Sequence, residues 1–169
     1  MLRTGMVYVS KNAINTAPIF QGGSAMTSKT PSIGEVYAVT FDQNSHVQSG
    51  FRPAVVIQNK LGNIYSKNVV VLPITSSVKN VDMPTHVRLS AEKTGLRNDS
   101  IVLCENPVTI PKSYLRKHIT TLSDPYIKEI AIAYTIATGL IGYLSADEVS
   151  ALWEEARRIN EISKEGAVQ

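Results

Sequence analysis

The chain is poor in the residues that build most enzyme centres. Its 169 residues include one cysteine, Cys104, and three histidines, His46, His86 and His118. A single thiol excludes an internal disulfide. Its place in the apolar run 101–104 marks a small buried side chain rather than a nucleophile. There is no CxxC and no paired-histidine spacing, so no metal site and no cofactor is expected. A Ser/His/Asp triad is also missing. Long apolar runs are absent: the most membrane-like stretch, 130–144, is short for a bilayer and carries Thr and Gly. The N-terminus has no uninterrupted apolar segment of the secretory kind. A cytoplasmic, reducing setting without membrane association is expected. Charge of one sign is scarce as well. The net charge of +3 is compatible with an acidic partner such as nucleic acid but does not identify one.

What is present is an ordinary apolar fraction, 43%, enough for one globular core. Residues 1–32, rich in Gly, Ser and Thr toward their end, read as a leader and linker. Residues 33–144 read as the main domain, and 145–169 as an additional helix and tail. Residues 35–41 and 85–90 alternate like half-buried strands, and 101–105 continue the pattern. Val55-Val-Ile57 and Val69-Val-Val-Leu72 are β-branched apolar runs bounded by Gly, Pro and Asn, the pattern of core strands. Residues 111–116 predict one helical turn. Asp124 and Pro125 predict a helix start, with Ile127, Ile130, Ala131, Tyr134, Ile136 and Ala137 mostly on one face before Gly139 and Gly142. Ser145 and Glu148 form a capping box. The helix it opens carries Val149, Leu152, Trp153, Ala156 and Ile159 in a stripe expected to pack on the barrel or the preceding helix, the alternative being that Trp153 and its neighbours enlarge a dimer contact or shape a partner's groove. The sum is an α+β, mainly β fold: five or six short strands in a small barrel or curled sheet with C-terminal helices.

The candidate chemistry lies at the strand ends. Arg52 starts one core strand, while Thr75, Ser76 and Ser77 end the next. Antiparallel pairing brings the start of one beside the end of the other, so Arg52 and Thr75 meet at one rim. A guanidinium and a hydroxyl there suit a phosphate group. Polar residues capping strand ends are the plainer alternative.

Several segments in order carry a family resemblance: Gly34-Glu-Val-Tyr37, Gly50-Phe-Arg-Pro-Ala-Val-Val-Ile-Gln-Asn59, Gly62-Asn-Ile-Tyr-Ser66 and Pro73-Ile-Thr-Ser76. Downstream come Pro84-Thr-His-Val87, Gly95-Leu-Arg-Asn-Asp-Ser-Ile-Val-Leu103 and Thr109-Ile-Pro-Lys-Ser-Tyr-Leu115. Over some two thirds of its length the chain resembles the MazF/PemK/Kid toxins of bacterial toxin–antitoxin systems. The resemblance implies an SH3-like barrel of the MazF/PemK/CcdB type, usually a homodimer, and a cognate antitoxin as partner. It implies a metal-independent endoribonuclease acting on single-stranded RNA such as mRNA. The RNA 2′-hydroxyl is the nucleophile, giving 2′,3′-cyclic phosphate and 5′-hydroxyl ends. The family's catalytic arginine and threonine match Arg52 and Thr75. Gln48, Gly50, Asn59, Ser76, Ser77, Glu105 and Asn106 match or flank its RNA-contacting positions, and short polar groups at strand ends suit splayed bases.

The sequence departs from the family in two places. The loop before Arg52 reads Asn44-Ser-His-Val-Gln-Ser-Gly50, without the acidic residue many relatives carry. After the fifth strand, Glu105-Asn-Pro-Val-Thr109 has Asn106 and Val108 where relatives often have Gln and Arg. These changes bear on which RNA sequence is read. Two other functions share the fold: a CcdB-like gyrase poison and a non-catalytic SH3-like binding module.

Overall fold

The computed structural model describes residues 30–41, 50–77 and 83–165. Residues 1–29 of the leader, His46 and Gln48 lie outside them. Among the described residues there are seven strands: β1 (Glu35–Phe41), β2 (Gly50–Val56), β3 (Asn68–Thr75), β4 (His86–Leu89), β5 (Ser100–Leu103), β6 (Val108–Pro111) and β7 (Leu115–Thr121). Four α-helices accompany them: α1 (Lys60–Tyr65), α2 (Ala91–Thr94), α3 (Asp124–Thr138) and α4 (Ala146–Glu165). Every pairing is antiparallel, in the order β4-β5-β3-β2-β1-β7, with β6 also on β3.

The β-branched runs are apolar at every position because both faces of their sheet are covered. Val55, Leu72 and Ile74 face one cluster with Val36, Val102, Leu122 and α3 residues Ile130 and Ala133. Their neighbours Ala54, Val56, Val69 and Val71 face the other, with Val39, Phe41 and Ile110. Gly34 binds the sheet to α3. It takes φ +86°, its N–H donates to the Val56 carbonyl (2.9 Å), and its carbonyl accepts from Leu122 N (2.9 Å). A Cβ there would stand 2.9 Å from the Ile127 side chain, so only glycine lets the helix approach this closely.

Several local expectations change. The connection between β2 and β3 contains α1, whose first turn is capped by Asn59: Gly62 N donates to its Oδ1 at 2.8 Å. Of the turn expected over 111–116 only a 3₁₀ turn, Lys112–Tyr114, is present, and Leu115 and Arg116 open β7. β7 is an edge strand, mostly exposed and irregularly registered against β1, so no alternating apolar signal marks it. On α3 the buried face is Ile130 and Ala133, with Ala131 exposed and Ile136 largely so. Its N-cap is Ser123, one residue before Asp124.

The capping box of α4 is formed: Ser145 N donates to Glu148 Oε2 (2.8 Å) and Glu148 N to Ser145 Oγ (3.3 Å). The stripe behind it, however, is only partly covered: Val149 and Ile159 are half-buried, and α4 meets α1. Leu152 and Trp153 are 55% and 59% exposed. Gly139, left-handed at φ 64°, ends α3, and the 3₁₀ turn after it (Leu140–Tyr143) redirects the chain toward α1. Trp153 lies under the Arg157 guanidinium, 4.9 Å from the ring centre. Among the described residues, no helix is long and apolar enough to cross a membrane.

Candidate active site

The site is created by a divergence of strands. β2 and β3 pair through Val56↔Val71, Val55↔Leu72 and Ala54↔Pro73, and there the ladder stops. Pro53, whose nitrogen faces β3, lacks the N–H that would continue it. Beyond Pro73 the last residues of β3 pair instead with β5, Ile74↔Val102 and Thr75↔Ile101, while Arg52 stays on β1 opposite Val39. Continuing the β2–β3 register by two residues would set Arg52 across from Thr75. Because the strands have parted, the two instead line a cleft of about 370 Å³.

The cleft is lined by Arg52 and Pro53 of β2, by Ile74 to Ser77 at the end of β3, and by Leu96, Arg97, Asn98 and Ser100 of the α2–β5 turn and the start of β5. Among the described residues, its lining thus combines two arginines and several hydroxyl side chains with no carboxylate. Arg52 and Thr75 are half-buried, while Ser76, Ser77, Arg97 and Asn98 are exposed. The Thr75 hydroxyl is oriented by its own chain: Ser77 N donates to Thr75 Oγ1 at 3.1 Å. With the oxygen accepting from the backbone, the hydroxyl hydrogen is available to an anion in the cleft. Arg52 offers a planar two-pronged donor. Together they can orient a phosphodiester and stabilise the charge that grows on its non-bridging oxygens.

The remaining sequence candidates are dispersed. Gly50 pairs with Phe41 at the start of β2. Asn59 lies past the other end of β2, where its side chain caps α1. Glu105 and Asn106 follow β5, whereas the cleft is at its beginning. Glu105 Oε1 meets His86 Nε2 at 3.0 Å, and its Oε2 is buried without a partner among the described residues. Asn106 N donates to the Leu103 carbonyl (3.2 Å). His118 stacks edge-on to Tyr37, with ring centres 5.4 Å apart. Cys104 is fully buried; desolvation first, and the nearby Glu105 second, push its thiol up to about 12. Among the described residues, no three His, Cys, Asp or Glu side chains gather as a metal-binding group.

Arg97, Asn98 and Ser100 were missed as site residues by sequence reasoning. Gly95 to Ser100 reads as a turn leading into a strand, which it is. Only the β3–β5 pairing brings that turn over Thr75.

Residues 32–137 match the model of the PemK-like, MazF-like toxins of type II toxin–antitoxin systems. Endoribonuclease MazF of Staphylococcus saprophyticus is 40% identical over 109 residues, 63% of this chain and 90% of that protein. Among solved structures, the Mycobacterium tuberculosis toxin MazF-mt6 superposes with a TM-score of 0.53 at 27% identity, over 62% of this chain and 96% of that one. A mycobacterial endoribonuclease in complex with its cognate antitoxin shares the fold, with a TM-score of 0.54 at 24% identity over 65% and 96% of the two chains. The chain therefore belongs to the PemK-like, MazF-like toxin family of type II toxin–antitoxin systems and is a homologue of the endoribonuclease MazF.

Proposed function

We propose that this protein is a metal-independent endoribonuclease that cuts single-stranded RNA, including mRNA, at a short sequence, and that Arg52 and Thr75 carry the cleavage. The observation that supports it best is their convergence on one cleft where β2 and β3 part, with the Thr75 hydroxyl turned by Ser77 N so that it can donate. The RNA supplies the nucleophile. Its 2′-oxygen attacks the adjacent phosphorus, the bond from phosphorus to the 5′-oxygen breaks, and a 2′,3′-cyclic phosphate and a 5′-hydroxyl result. The 2′ proton leaves to water, and water returns a proton to the departing oxygen. Arg52 keeps its charge throughout, since a guanidinium does not deprotonate in proteins. Its role is to hold the phosphate and offset the charge of the pentacoordinate intermediate, while Thr75 donates to a non-bridging oxygen.

Ser76 and Ser77 extend the donor set in the lining of the same cleft. Gln48, Gly50, Asn59, Glu105 and Asn106 would contact nucleotides further along the strand. The working domain is 33–144, acting in the cytoplasm as a homodimer. A cognate antitoxin is its partner, in line with the solved relative that is held in complex with one.

The test is incubation of the purified protein with a long RNA in EDTA, followed by end-group analysis. Cleavage leaving cyclic phosphate ends, and falling on the order of a hundredfold or more in Arg52→Ala, is the expected result. A folded Arg52→Ala protein that cuts at the normal rate overturns the assignment. A wild-type protein that cuts nothing leaves the gyrase-poison and binding-module alternatives.

A further inference from the structure

Resting on the reading of the cleft as an RNA site, we propose that Arg97 on the α2–β5 turn is a substrate-positioning residue. It would bind the RNA phosphate next to the one that is cleaved.

The first support is placement. Arg97 lines the same cleft as Arg52 and Thr75, but from a different element, the α2–β5 turn. Arg52 is half-buried on a strand beside a hydroxyl, whereas Arg97 is exposed. A phosphodiester carries one negative charge, and Arg52 with Thr75 already answers it. A second arginine lining the same space matches a second phosphate. At about 370 Å³ the cleft is at the small end of ligand sites, which run from roughly 300 to 1,000 Å³. It has room for a nucleotide unit with phosphates at its edges rather than for a folded RNA.

The second support is the charge balance. The one acidic residue of the turn, Asp99, is not part of the lining and is engaged elsewhere: its Oδ1 accepts from Ala91 N at 2.8 Å. Among the described residues, no hydrogen bond or ion pair holds the Arg97 guanidinium.

The third is preorganisation. The turn is held from within, so its position over Thr75 does not need RNA to form. Gly95 is left-handed at φ 71° and its N–H donates to the Ala91 carbonyl at 2.9 Å. Leu96 is buried in the core, and Ser100 Oγ donates to the Asn98 carbonyl at 2.8 Å. A cation on a rigid turn loses less entropy on binding than one on a loose loop.

Binding of a 2′-O-methylated single-stranded RNA of mixed sequence, which has no 2′ nucleophile, is measured across a salt series for the wild type, Arg97→Ala and Arg97→Lys. Loss of one phosphate contact weakens binding on the order of tenfold in Arg97→Ala and flattens the log–log salt slope by about 0.7. Arg97→Lys keeps the charge and recovers most of that slope. On a cleavable RNA the loss in Arg97→Ala falls on KM, whereas in Arg52→Ala it falls on kcat.

Unchanged affinity and salt slope in a folded Arg97→Ala protein overturn the proposal. So does a loss confined to kcat, which would put Arg97 on the scissile phosphate. The two readings fail separately. Arg97-dependent binding without wild-type cleavage sinks the nuclease assignment alone. Normal cleavage with Arg97-independent binding sinks this one alone.

Discussion

The sheet and the C-terminal segment both carry large apolar side chains, yet they treat them in opposite ways. In the sheet, Val55, Leu72 and Val71 are completely buried, because β2 and β3 each have a neighbour on both edges and a covered face on both sides. After Gly139, Leu140, Tyr143, Leu152 and Trp153 all stand more than half exposed in the single chain. An apolar pattern therefore states that a surface is costly to leave in water. It does not state what covers that surface. Strands that must pair bring their own cover, and a helix beyond a left-handed glycine does not.

The sharpest way to break the comparison is one substitution made in both places. Leu72→Ala should cost about 2–5 kcal/mol in chemical denaturation, since it empties space in a closed core. A small loss there would mean that the barrel is looser than its burial implies. Next in size is Thr75→Val, which keeps the shape at the cleft and removes one donor to a charged group. Saturating cleavage should fall about tenfold or more, with the melting temperature near wild type. Full activity would remove Thr75 from the chemistry.

Cys104 provides a probe of the core without mutation. Its thiol, raised to about 12 from an ordinary 9.0, stays protonated and buried in the fold. A thiol alkylator at about pH 8 should leave the native protein unmodified and label it fully in denaturant. The same shift sets a pH limit. The folded state holds this proton more tightly than the unfolded one, so its contribution is intact below about 9 and declines as pH rises toward 12. Rapid native labelling would contradict a sealed core.

The two smallest effects belong to the C-terminal segment. Leu152→Ala should change monomer stability by no more than about 0.5 kcal/mol, in contrast to Leu72→Ala. A loss comparable to Leu72→Ala, or one that depends on protein concentration, would show that the stripe is covered in solution. The Glu148 carboxylate is held below its ordinary 4.5 by the Ser145 N–H and then by the Ser145 hydroxyl. That contribution is present above 4.5 and is lost as pH falls below it, so the first turn of α4 should fray on acidification. Circular dichroism should register a slight helical loss that is absent in Glu148→Gln.

Much of this molecule could be read from residue order alone. The β-branched runs at 55–57 and 69–72 announced core strands, and Ser145 with Glu148 announced a helix start, because each signal is local and has a local physical cause. Arg52 and Thr75 could be singled out for the same reason: each adjoins the end of an unmistakable strand. β7 escaped because an exposed edge strand has no apolar alternation to display, and α1 because its six residues carry too short a period. The tertiary structure alone decided three things. Pro53 stops the β2–β3 ladder where the cleft opens. The pairing of Thr75 with Ile101 brings the α2–β5 turn, and Arg97 with it, into the lining of the cleft. Leu152 and Trp153 of the α4 stripe are left exposed by the single chain. All three depend on which distant segments share an edge. Such pairings are settled by the competition of long-range contacts, and no short window of sequence contains it.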